Sequence, residues 1–207
     1  MSILMPAAAG LAQKPANQKS QNVLEYFIEL NPSQIHVSER LQGKPFSEAT
    51  LKPWLKKKDF KNGYLEIVPA ITPHSEAPAR IEVALFRSKP INSPPLLLVS
   101  VSQGSSDEVF AFQRALDTPK WTEVTASVLP KPSPDEFSAI FSRISPQGKF
   151  RPEYADHVAY RLPRKGTQIQ VVSTIDEEKL YDVELYRLVF DGAQFSIQTA
   201  QKQSKVK

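Results

Sequence analysis

The alternation of apolar and polar residues along the chain is mostly that of β-strands. Between residues 80 and 130 three apolar runs, 81–86, 96–101 and 109–112, are each strand-length and are separated by Pro, Asn, Ser and Gly. That spacing predicts the centre of an antiparallel sheet, with the run 121–129 as a further strand. Ile81, Val83 and Leu85 alternate with Glu82, Ala84 and Phe86, so one face of this strand is buried and the other partly so. Leu96, Leu97, Leu98 and Val99 are apolar on both faces, the mark of a central strand covered on both sides. One of the pairs Leu97/Val99 and Leu96/Leu98 is expected to be buried against the main helix, and Trp121 to pack beside Phe110 or Phe112.

Helical periodicity is scarcer. Within 131–146, Ser133 and Glu136 form a capping box, Pro134 occupies the first helical position, and Phe137, Ile140, Phe141 and Ile144 fall on one stripe that should face the core. Asn22 and Glu25 predict a shorter helix that ends by Asn31, ahead of Pro32. A third is expected within 47–55, split by Pro53 and anchored by Trp54 and Leu55. Asn62 and Gly63 turn the chain into a strand at 64–68, and a loop at 69–78 carries His74. In the last third, 157–161 and 167–172 flank the turn 162–166, and 180–190 and 195–198 flank Asp191 and Gly192, a two-residue hairpin signal. Segments 109–125 and 186–199 share an order of aromatic-rich strand, short turn and aromatic, which reads either as a faint repeat or as two ordinary hairpins.

The sum is an α+β fold, mainly antiparallel β, with one bent sheet or two packed sheets and two or three short helices. One domain over 21–199 is expected, between a leader at 1–20 and a basic tail at 200–207. A length of 207 residues with 41% hydrophobic and 23% charged residues suits one globular domain, and eighteen prolines against seven glycines call for short elements joined by stiff connections.

Charge changes the picture little. The net +4 arises in residues 1–58, with eight basic and four acidic side chains; 59–150 carry nine and ten, and 151–207 nine and eight. Lys56, Lys57 and Lys58 form the dense cluster, and Lys202, Lys205 and Lys207 follow in the tail. A local run of this kind is a solvated face first, so binding to nucleic acid or another anionic surface is the weakest of the functional readings. The absence of cysteine removes disulfides, thiol catalysis and cysteine-ligated metal. No run approaches the roughly 20 apolar residues of a membrane-spanning helix. Residues 3–13 read as the back half of a signal peptide, with Gly10 and Ala12 ahead of a cleavage point at Gln13, although the charged front region is lacking. The expectation is export to the periplasm or beyond; the alternative is an Ala-rich leader on a cytoplasmic protein.

Candidate chemistry is sparse. His36, His74 and His157 share no ligand spacing, so no metal site is expected, and no cofactor motif is present, so no cofactor is expected either. His157 and Asp156, with Glu153 and Tyr154 near, are the weak catalytic candidates, although neighbours on a strand point to opposite faces. Arg161, Arg164 and Lys165, on the rigid turn around Pro163, are the weak candidates for contact with an anion or a partner. The polar segment 102–107 reads as a turn with room for an anion.

Three phrases carry a resemblance: Lys61, Asn62, Gly63, Tyr64 and Leu65; Trp121, Thr122, Glu123, Val124 and Thr125 with Leu129 and Pro130; and Leu180, Tyr181 and Asp182 leading to Phe195. Over most of 22–198 the chain resembles a group of exported bacterial proteins with no assigned activity. The resemblance implies export and a mostly β fold, and supplies no catalytic residue. The leading expectation is therefore a non-catalytic exported protein that binds a small ligand or another protein, its oligomeric state left open. A hydrolase-like enzyme centred on His157 is the alternative.

Overall fold

A computed structural model describes residues 21–35, 45–69, 80–89, 94–103, 106–114, 120–145, 150–177 and 180–199. The leader, the basic tail, His36 and His74 lie outside the described residues. Six strands form one antiparallel meander: β1 (Leu55–Asp59), β2 (Tyr64–Ile67), β3 (Arg80–Phe86), β4 (Leu96–Gln103), β5 (Ser106–Arg114) and β6 (Trp121–Glu123). A second meander follows, β7 (Val158–Arg161), β8 (Gln168–Ser173), β9 (Glu184–Phe190) and β10 (Phe195–Thr199). Among the described residues are four short α-helices: α1 (Val23–Ile28), α2 (Glu48–Leu51), α3 (Thr125–Val128) and α4 (Pro134–Ile144). This is an α+β fold, mainly antiparallel β, with two packed sheets.

The first sheet is covered on both faces, as its sequence requires. Ile81, Val83 and Leu85, with Leu97, Val99, Phe110 and Phe112, lie under α1 and the segment after it, where Val23, Phe27, Ile35, Phe46 and Leu51 complete an apolar core. Asn22 caps α1 with the expected box, its Oδ1 accepting from Leu24 and Glu25 N–H while Glu25 accepts from Asn22 N–H. Trp121 joins this core with Phe110 and Phe112, meets Tyr26 edge-on at 5.7 Å, and donates from Nε1 to Glu29 at 3.1 Å. Ala84, Phe86, Leu96, Leu98 and Ala111 face the second sheet, where Phe86 packs against Phe190 and Phe195 at 5.4 and 5.1 Å. The pairs Leu97/Val99 and Leu96/Leu98 of β4 are therefore both buried, but the cover over Leu97 and Val99 is α1. The helix α4, with the predicted capping box, lays Phe137 and Ile140 into the inter-sheet core instead, and Phe141 against Ile175 and Leu180.

The inter-sheet face also carries charge. Glu66, Glu82 and Ser100 are partners in register across β2, β3 and β4, so their side chains form one row on the face toward the second sheet. All three are buried. Glu82 accepts from Tyr64 Oη at 2.8 Å, from Arg80 Nη2 at 2.7 Å and from the Leu162 N–H at 3.2 Å, while Ser100 Oγ donates to the Tyr160 carbonyl at 3.0 Å. Lys57 and Arg80 pair with Glu66 at 2.9 and 3.3 Å. β7 is an edge strand, and these side chains satisfy backbone groups on its open side that β8 does not reach. Burial and the Glu82 carboxylate push the Tyr64 hydroxyl well above the ordinary tyrosine value, so it stays a donor.

Several local expectations give way to the backbone. The lysines Lys56, Lys57 and Lys58 lie on β1, an edge strand, where charge discourages pairing with another sheet. Gly63 holds the β1–β2 turn at φ +69°, and a Cβ there would sit 3.0 Å from Leu85 Cβ. The segment 102–107 is strand up to Gln103 and again from Ser106, the two pairing with each other. The run 121–129 is strand only to Glu123 and then turns into α3. The hairpin at Asp191 has a four-residue loop, because Phe190 pairs with Phe195 and Asp191 Oδ1 takes the N–H groups of Ala193 and Gln194. Of the two segments that suggested a repeat, one sends its aromatic, Trp121, into the helix-side core and the other sends Phe195 into the inter-sheet core.

Candidate functional site

The mismatch between a nine-residue β5 and a three-residue β6 opens the molecule. β6 pairs only with Phe112, Gln113 and Arg114. Beyond that point Val124 N–H still reaches the Ala111 carbonyl at 2.7 Å, and the Thr125 hydroxyl accepts from Ala111 N–H at 2.9 Å and donates to Glu123. These contacts satisfy both backbone groups of Ala111 and let the chain leave the sheet through α3. The first half of β5 is thus left without a β6 neighbour. Leu129 anchors the departing chain, and Pro130 and Pro132 carry it toward the cap of α4.

A cleft of about 850 Å³ lies beside that half of β5. One wall is β5 with Asp107, Glu108, Val109 and Phe110; the next is Glu123, Thr125 and Ala126 with the connection to α4 and Phe137. Ala155 and Asp156 of a 3₁₀ turn (Pro152–Asp156), Val158 and Tyr160 of β7, and Tyr186 of β9 close it. Its floor is aromatic. Its charged groups are four carboxylates, of Asp107, Glu108, Glu123 and Asp156, against the ammonium of Lys131. Asp107 Oδ1 is buried and has no hydrogen-bond partner. Burial pushes the Tyr160 and Tyr186 hydroxyls above their ordinary value, and the two hydrogen-bond to each other, so both remain neutral.

The structure separates the two catalytic candidates. Asp156 lines the cleft, but His157 does not, in keeping with Asp156, Val158 and Tyr160 facing one way and their neighbours the other. His157 is exposed; its N–H donates to the Tyr154 carbonyl and its own carbonyl accepts from Thr174 N–H. Glu153 is exposed as well, and Tyr154 packs on Phe141 at 5.1 Å with Arg151 over its ring. The proposed anion contact is also divided: Arg161 lies 3.5 Å from Asp182, Arg164 lies 3.6 Å from Asp59, and Lys165 is exposed. Hydrogen bonds from Asn62 hold the Asp59 carboxyl below the usual range, with Arg164 and Lys165 adding to the effect. Among the described residues, no three histidine or acidic groups converge as a metal site would need. No helix among them is long and apolar enough to cross a membrane.

Glu123, Tyr160 and Tyr186 are site residues that sequence reasoning missed, and Asp107 entered it only as the end of the 102–107 segment with room for an anion. Strand parity puts Asp107 with Val109 and Ala111 on one face of β5, a signal that reading 102–107 as a turn hid. Nothing local announces that Tyr186, some eighty residues on, lines the same cleft. No protein-family model, no curated protein and no solved structure matches the chain.

Proposed function

We propose that the protein is a non-catalytic binding protein whose ligand is a small molecule held in the cleft beside β5. The observation that carries this reading is the cleft itself: about 850 Å³, an apolar and aromatic floor, and a few polar groups grouped at its walls. That volume and lining are those of pockets that enclose small molecules. Its walls belong to well-formed elements, with β5, β7 and β9 each hydrogen-bonded within a sheet, so the site is largely built before a ligand arrives. The neutral, mutually bonded tyrosines serve to shape and orient, and His157, the group best suited to general base catalysis near neutral pH, lies off the lining.

The test uses two obstructions. Ala126 and Ala155 are exposed at their surfaces and also line the cleft, so Ala126→Trp and Ala155→Trp fill it without disturbing the core. A fragment library screened by amide chemical shifts should yield binders that perturb Val109, Phe110 and Val158, and both variants should lose them. Binders that map elsewhere, or that hold equally well to both variants, would remove the cleft from the account.

A further inference from the structure

The cleft has a chemical preference. Resting on the reading of the cleft as a ligand site, we infer that it takes an organic cation: a protonated amine carried on an apolar body. Three features point the same way. First, the carboxylate residues Asp107, Glu123 and Asp156 stand against one lysine in the lining, Glu108 being turned to the other face of β5, so the field there favours a positive guest and disfavours a carboxylate or phosphate. Second, the floor is built from Phe137, Tyr160 and Tyr186, aromatic side chains that suit both an apolar stem and a cation, since a ring face is the negative pole of its quadrupole. Third, the buried Asp107 Oδ1 has no donor. A carboxylate oxygen withdrawn from water without a hydrogen bond is destabilising, and a cation held close to the same carboxylate offsets part of that cost.

The tyrosines sharpen the preference. Burial keeps both hydroxyls neutral, so they add no negative charge of their own, and the one hydrogen bond between them leaves a single O–H for a ligand acceptor. Lys131 is the single cation of the lining. A bare metal ion is a poor guest, because no three acidic or histidine groups converge among the described residues. An amine with an aromatic or alkyl body uses floor and walls together.

The experiment compares three probes of one shape, 4-phenylbutylamine, 4-phenylbutanol and 4-phenylbutyrate, by titration into the full chain with amide shifts as the readout. The amine should bind about tenfold tighter than the alcohol, as expected for one good ion contact reinforced by ring faces, with the butyrate weakest. Its affinity should fall as salt is raised. Asp107→Asn, and independently Glu123→Gln at the exposed wall, should reduce the amine's advantage while leaving the alcohol unchanged, with thermal melting confirming that both variants fold. Amine and alcohol binding equally in the cleft would overturn the cation preference and leave the binding site standing. An amine affinity indifferent to salt and to both substitutions would overturn it too. If none of the three probes shifts a cleft resonance, the binding reading itself fails.

Discussion

The two faces of the first sheet differ in how they are sealed. Under α1 the cover is apolar apart from Glu29, which takes the Trp121 N–H, and Leu97, Val99, Phe112 and Ile81 are wholly buried. Toward the second sheet the same strands present Glu66, Glu82 and Ser100 among the leucines and aromatics. The difference follows from what each face meets. A helix has its hydrogen bonds closed within itself and needs only an apolar surface, whereas β7 brings an unpaired backbone edge that must be satisfied. The polar row is therefore a property of the docking partner, and the face with unpaired backbone is also the one beside which the cleft opens.

Substitutions can break this contrast, beginning with the most damaging. Glu82→Ala would strand Tyr64 Oη and the Leu162 N–H and leave Arg80 with Glu66 alone, and should cost about 2–6 kcal/mol in denaturant unfolding, from about 1–3 for each buried donor left unpaired. A loss under about 1 kcal/mol would show that water replaces the carboxylate and that the row is incidental. On the opposite face Leu97→Ala should cost about 2–5 kcal/mol through lost burial and a cavity, with no dependence on pH or salt. Ser100→Ala leaves the Tyr160 carbonyl unpaired and should cost about 1–2 kcal/mol.

The inter-sheet face should also be the one that feels alkali. Tyr64, Tyr160 and Tyr186 all lie there, each raised above its ordinary value of 10.0 by burial first. Their contribution is complete below pH 10 and is lost as the pH rises beyond it, because the unfolded chain then gives up phenolic protons that the folded chain retains. Unfolding midpoints taken below and above pH 10 should fall, and Tyr64→Phe should flatten part of that fall. A fall of equal size in a variant lacking all three hydroxyls would place the alkaline weakness elsewhere. The smallest effect is expected at His157→Ala, within about 0.5 kcal/mol and with no change at the cleft resonances, since the side chain is exposed and off the lining. Loss of ligand binding in that variant would restore His157 to the site.

Periodicity and capping made much of this legible in advance. The faces of β3 and β4, the boxes at Asn22 and Ser133 and the β7–β8 turn are written in adjacent residues, so neighbouring side chains reveal them. β1 was hidden because its lysines are those of an edge, where charge replaces the alternation that marks a half-buried strand. α3 was hidden because it depends on Thr125 bonding Ala111 across the sheet. The cleft was the least legible part. It is made where two separate meanders meet, and of the catalytic pair named beforehand Asp156 reaches it and His157 does not.

The meander topology has a consequence for the order of assembly. Every strand of the first sheet bonds only to its neighbours in sequence, so residues 55–123 can finish their ladder before 158–199 leave the ribosome. For that interval one face of the nascent sheet is uncovered. Glu66, Glu82, Arg80 and Ser100 interrupt its apolar surface, acting as gatekeepers against premature association. When β7 arrives the same groups become its hydrogen-bond partners, and a docking displaced along the strand would leave both sides unpaired.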